Sequence, residues 1–167
     1  MSAAYTIGID NGTTGTLAII GPEGPFFDEI PVKEYLLGKS GKFVRRIDHH
    51  ELAAMIVARV PLNRYQVAAY VERPFTGSAM MINTTVLSAR SHEAVLIVCE
   101  QLGIGITTVD SKTWQLPLLG AVKGSPQLKK ASAVRGAALY PMYAAQIKKH
   151  GDADGLLIAH HFAHISS

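Results

Sequence analysis

Residues 5–20 read YTIGIDNGTTGTLAII. An apolar, β-prone run over 5–10, a turn-forming NGTTG and a second apolar run over 16–20 predict a hairpin with its tip at Asn11 to Gly15. Ile9 runs directly into Asp10. A carboxylate at the end of an apolar strand is desolvated unless a cation pairs with it, and strand ends are where open α/β sheets build their sites. The stretch therefore predicts a sheet that starts with a hairpin and a chemically active residue where its first strand stops.

Working outward, residues 25–32 (PFFDEIPV) read as a third, edge-like strand bounded by prolines. Asp48 followed by Glu51 has the spacing of a capping box, and Leu52, Met55, Ile56 and Val60 then share a helical face that stops before Pro61. Residues 67–72 (VAAYVE) form a short strand ending on Glu72. A long helix is expected over 84–102, lined by Leu87, Ser91, Ala94, Val98 and Leu102 and ended by Gly103. A strand follows over 104–109. Pro126 opens a helix near 127–139, Pro141 interrupts it, a second piece runs to Lys149, and a last helix covers about 153–164. The resulting order, β-β-β-α-β-α-β-α-α, predicts an α/β fold with helices on both faces of the sheet.

At 167 residues with 48% hydrophobic content, the chain suits one domain spanning 1–167 and excludes global disorder. Its one cysteine, Cys99, excludes an intrachain disulfide and a Cys-cluster zinc site. The N-terminus does not read as a signal peptide, and the longest strongly apolar run, Ala94 to Cys99, is too short to span a bilayer. A cytoplasmic protein with no membrane partner is expected. The net charge of +3 decides little, but its distribution is informative. From Lys112 to Lys149 the chain has seven basic residues (Lys112, Lys123, Lys129, Lys130, Arg135, Lys148 and Lys149) and no Asp or Glu. A second cluster joins Lys39, Lys42, Arg45 and Arg46. Single-sign blocks attract polyanions, although a solvated helix face explains them as well.

Four of the acids sit at element boundaries: Asp10, Glu72, Asp152 and Asp154. Taken singly, three of them have a structural explanation: a turn residue for Asp10, an ion pair with Arg73 or Arg45 for Glu72, a helix cap for Asp152. Taken together they suggest a metal site, because converging carboxylates repel one another until a divalent cation neutralises them. Mg²⁺ takes oxygen ligands and keeps waters that a phosphate can replace.

The motifs IGIDNGTTG, YVERPF, DSKTWQ, KGSPQLKK and HGDADGLLIAHH, in that order over nearly the whole chain, resemble the RuvC-type Holliday junction resolvases, most closely their short bacteriophage and related forms. The resemblance implies a ribonuclease H-like fold with a central mixed five-stranded sheet and a homodimer. It implies a Mg²⁺- or Mn²⁺-dependent endonuclease with two ions per site, cutting four-way and other branched DNA to 5′-phosphate ends in recombination, repair or phage DNA processing. It also implies roles. Asp10 would bridge the metals, Glu72 and Asp154 would hold one each, and the fourth ligand is open. The family's position is Gly151 here, leaving Asp152 as the favoured ligand and His150 as the alternative. Lys129 or Lys130 would sit near the scissile phosphate, with Lys123 in the loop before them and Lys112 as a second phosphate contact; from the basic clusters, Arg135, Arg45 and Arg46 are further DNA-contact candidates. Phe75 would be the aromatic wedge at the junction, helped by Met80 and Met81, while Trp114 either stacks on a base or packs internally. The 84–102 helix, apolar on more than one side, would suit a dimer or equally burial within one subunit.

Three other readings remain at this point. GIDNGTTGTLA also resembles the phosphate loop of sugar kinases and other actin-like ATPases, which need a second lobe for which 167 residues leave no room. A non-cleaving binder of branched DNA, or a related nuclease acting on RNA, would share most of these features.

Overall fold

The computed structural model describes residues 4–37, 41–63, 65–74 and 82–165. Phe75, Met80, Met81 and Lys39 lie outside the described residues. Strands β1 (Tyr5–Ile9), β2 (Thr16–Gly21) and β3 (Gly24–Glu29) form an antiparallel meander. Strands β6 (Val67–Glu72) and β7 (Gly105–Val109) add to it in parallel, giving one five-stranded sheet in the order β3-β2-β1-β6-β7. This is the mixed sheet expected of a ribonuclease H-like fold. The parallel strands are reached through helices, as parallel pairing demands: α1 (His49–Val57) before β6 and α2 (Ile82–Gln101) before β7. After β7 come α3 (Ser111–Leu119), α4 (Ser125–Leu139), a 3₁₀ turn (Pro141–Tyr143), α5 (Ala144–His150) and α6 (Asp154–Ile165).

Strand alternation divides the core. Tyr5, Ile7 and Ile9 of β1 point to one face with Ala69 and Val71 of β6, and there meet Leu52 and Ile56 of α1 and Val95, Val98 and Cys99 of α2. The opposite face holds Ala18, covered by Leu156, Leu157, Ile158 and Ala159 of α6, Trp114 of α3 and Ile147 of α5. Thr6, Gly8 and the next alternate position, Asp10, belong to this α6 side. Gly8 lets the helix sit directly on the strand, since a Cβ there would lie 2.3 Å from the Ala159 nitrogen and the Gly155 oxygen. Gly155 is as tight from the other side, 2.5 Å from the Thr16 carbonyl oxygen. Gly8→Ala must therefore push α6 off the sheet. The expected cost is about 3 kcal/mol, read as a fall in the denaturation midpoint, and an unchanged midpoint would refute the close approach.

Three elements differ from the sequence expectation. Residues 25–32 do not form one strand. The ladder stops at Glu29, the Ile30 N–H donates to the Gly15 carbonyl, and Pro31 has no N–H to continue it. The chain instead forms a separate two-stranded hairpin, β4 (Val32–Leu37) with β5 (Lys42–Ile47). Helix α3, which carries Pro117, was absent from the expected order. Asp48 does cap α1, accepting from the His50 and Glu51 N–H groups, but its own N–H donates to the Pro31 carbonyl rather than completing a capping box with Glu51. Among the described residues, no helix is long and apolar enough to cross a membrane.

Candidate metal centre

Asp10 follows β1, and Glu72 ends its parallel neighbour β6. The pairing reaches Ile9 opposite Val71, so the two acids emerge side by side at one end of the sheet. Alternation turns both toward α6, as it does Tyr70, two residues before Glu72, whose ring stacks on Phe162 at 4.0 Å. Helix α6 begins at Asp154, and its start is fixed by three hydrogen bonds. The Gly155 N–H donates to Thr16 Oγ1 at 2.9 Å, the Ala153 N–H to Ser132 Oγ at 3.1 Å, and Ser132 Oγ–H to Asp154 Oδ1. Ser132 lies on α4 one turn before Gly136, where a Cβ would come 2.3 Å from that of Ala153. Small residues thus let α4 close over the 152–154 segment.

The outcome is a cluster in which Asp10, Asp152 and Asp154 each offer an oxygen, all within 4.8 Å of one another. Glu72 stands beside this group, with Oε2 accepting from the Trp114 indole N–H at 2.8 Å. Burial, with Asp154, Glu72 and Asp152 as like charges, pushes Asp10 well above the usual carboxylate range. Burial also raises Asp154 to about 6, with Asp152 adding to it and Ser132 opposing. Glu72 is raised to about 7 by burial and by the charges of Asp154 and Asp152, against the hydrogen bond from Trp114.

Asp152, only 2% exposed, is held by Lys129 Nζ at 3.2 Å and lies 3.5 Å from His150 Nε2. The hydrogen bond to Asp152 in turn holds the Lys129 ammonium above its ordinary pKa. His150 does not join the three-carboxylate group. Its Nδ1 faces Glu29 at 3.6 Å, so the ring is sandwiched between two acids. His150 and Asp154 do not share one helical face, because α5 ends at His150 and Gly151, with a φ of 107°, breaks the helix between them. The same break leaves Asp152 ahead of α6 and free to turn inward, where Oδ1 accepts from the Asp154 N–H at 3.4 Å.

The donor set fits a hard divalent cation. It is all carboxylate oxygen, its acids are strained by mutual repulsion, and the side-chain amide of Asn11, next to Asp10, has both polar atoms buried without a hydrogen-bond partner among the described residues.

The basic residues named from the sequence divide by place. Lys129, Lys130 and Arg135 lie on α4, Lys123 just before it, and Lys112 on α3, all exposed. Of these, only Lys129 has a described contact with the carboxylates. Arg45 and Arg46 are exposed on β5, with Arg46 5.2 Å from the Tyr35 ring centre. Trp114 is fully buried, which removes base stacking from its possible roles. Sequence reasoning missed Ser132 and Thr16 altogether. Nothing in their local pattern marks them, because their partners are distant in sequence.

No family model and no curated protein sequence matches the chain. Among solved structures, one of Thermus thermophilus RuvC aligns at 20% identity over 96% of this chain and 93% of that one, with a TM-score of 0.45. T. thermophilus RuvC in complex with a Holliday junction substrate aligns at 20% identity over 96% of this chain and 92% of that one, with a TM-score of 0.53. With its sheet order, this second likeness establishes the architecture: the chain has the RuvC fold, of the ribonuclease H-like class.

Proposed function

We propose that the chain is a metal-dependent endonuclease that cuts branched DNA, four-way junctions above all. One observation carries the reading: Asp10, Asp152 and Asp154 converge within 4.8 Å at a sheet end, beside Glu72. A fold shared with a protein solved on a Holliday junction supports it. Asp10, Glu72 and Asp154 would hold Mg²⁺, two ions per site with Mn²⁺ as a substitute. Asp152 would complete the set in preference to His150, which packs behind it. When bound, Mg²⁺ supplies a Lewis acid that ionises water and neutralises charge on a phosphodiester. Lys129 keeps an ammonium at the rim of the carboxylates, where it offsets charge developing on the phosphate. Ser132 and Trp114 hold Asp154 and Glu72 in place.

Lys112, Lys123, Lys130, Arg135, Arg45 and Arg46, exposed on the surface, are assigned to the DNA backbone, with Phe75 as the wedge. Helix α2 leaves Ile82, Val86, Leu87 and Ile97 between 40% and 81% exposed, an apolar face suited to a homodimer. A single domain in the cytoplasm completes the reading.

The test is a Mg²⁺-dependent cleavage assay on four-way, forked and linear DNA. Preferential cutting of the branched forms is expected. Equal cutting of linear duplex would remove the junction specificity, binding without cutting would leave only a binder, and ATP hydrolysis would favour the kinase reading. Lys130→Ala should weaken junction binding for all sequences alike and reduce the slope of log affinity against log salt by roughly 0.9, one phosphate contact. An unchanged slope would remove Lys130 from the interface.

A further inference from the structure

The chain has one tryptophan. Its ring is wholly buried on α3, and its indole N–H donates to Glu72 Oε2 across 42 positions of sequence. A buried indole N–H needs an acceptor and can only donate, so which acceptor it finds is informative. The acceptor it has is a carboxylate of the proposed metal centre. Three of the four carboxylates there meet different kinds of partner: Asp152 an ammonium, Asp154 a hydroxyl, Glu72 an uncharged N–H. Glu72 also has the longest side chain of the four and stands outside the close group of three aspartates. Repelled by them and untethered, it would swing toward water, and holding it costs side-chain entropy. A neutral donor holds it without adding a positive charge that would compete with a cation.

We infer that Trp114 is a positioning residue for Glu72, fixing one carboxylate oxygen and so presenting the other to a divalent cation. This rests on the metal-centre reading above. Outer partners of this kind are worth about 10–100-fold in metal affinity. The arrangement also makes Trp114 an intrinsic reporter, since a cation drawing on Glu72 alters the field at the indole N–H.

The experiment uses the full chain with Mg²⁺ alone as the probe, reading calorimetric heat and tryptophan emission in parallel. The wild-type protein should show a saturable emission change whose midpoint matches the calorimetric one. Trp114→Phe should bind Mg²⁺ about 10-fold more weakly or worse, an effect that loss of packing alone would not produce in folded protein. Glu72→Ala should abolish the emission change while calorimetry still detects Mg²⁺ on the aspartates. Heat without any wild-type emission change, together with wild-type affinity in Trp114→Phe, would overturn the positioning role and leave the metal centre standing. Absence of heat in the wild type would overturn the metal centre, and the positioning role with it. Should Trp114→Phe fail to fold, the comparison of wild type with Glu72→Ala decides: an emission change that persists without Glu72 overturns the inference.

Discussion

Asp10→Asn should cut Mg²⁺-dependent cleavage of a four-way junction by roughly 10³-fold, in the range seen when one group that stabilises transition-state charge is removed. Junction affinity should stay within a few fold, because the asparagine leaves the exposed basic surface untouched. The same variant should be more stable than the wild type without metal. Asp10 is desolvated and faces Asp154, Glu72 and Asp152, so its ionised form opposes folding, with Lys129 easing it in part. A neutral residue of the same shape removes that opposition. Lost activity with a raised melting temperature is the signature of a functional charge held at the expense of stability. A purely structural Asp10 would give the opposite: full cutting with a lowered melting temperature. Either of those results would remove Asp10 from the centre.

The second large effect is on stability against pH. Glu72 is raised from 4.5 to about 7 in the folded chain and Asp154 from 3.8 to about 6. A raised carboxylate means the folded state binds more protons than the unfolded one, so stability falls as pH rises. The loss begins near the ordinary carboxylate range and is complete above the folded values, at about pH 7 for Glu72. For Glu72 it is on the order of 3 kcal/mol. Burial lowers His92, His160 and His161, which pull the other way below about pH 6.5. The clean measurement is therefore the difference between wild type and Glu72→Gln. The variant should be the more stable of the two at about pH 8 without metal, and the gap should close toward about pH 5. Saturating Mg²⁺ should stabilise the wild type strongly at the higher pH, by about 2.7 kcal/mol at a hundredfold excess over its dissociation constant. It should do little at the lower pH, where protons already occupy the carboxylates. A gap independent of pH would contradict the assigned repulsion.

Much of the architecture was legible because it rests on local pattern. Two apolar runs around the NGTTG turn marked the first hairpin, Pro141 the break between α4 and α5, and the apolar run after Asp154 the last helix. The β4–β5 hairpin was not legible, because Pro31 separates two strands that share one continuous β-prone stretch. Helix α3 escaped because Pro117 argues against a helix, while its N-terminal turns form regardless. At the site, the acids stood out as charges where strands stop and helices start. Their supports did not, since Ser132, Thr16 and Trp114 act through contacts that only the folded chain creates.

The carboxylate cluster joins the first strand to the last helix, so its members come from opposite ends of the sequence. Such non-local contacts form late, since the intervening chain must be ordered first. On the ribosome, β1 and β6 emerge well before α6. A nascent or C-terminally truncated chain therefore has Asp10 and Glu72 without Asp152 and Asp154. On the proposed function, such a chain would display basic segments to nucleic acid with no means of cutting it, and competence would arrive only as α6 docks.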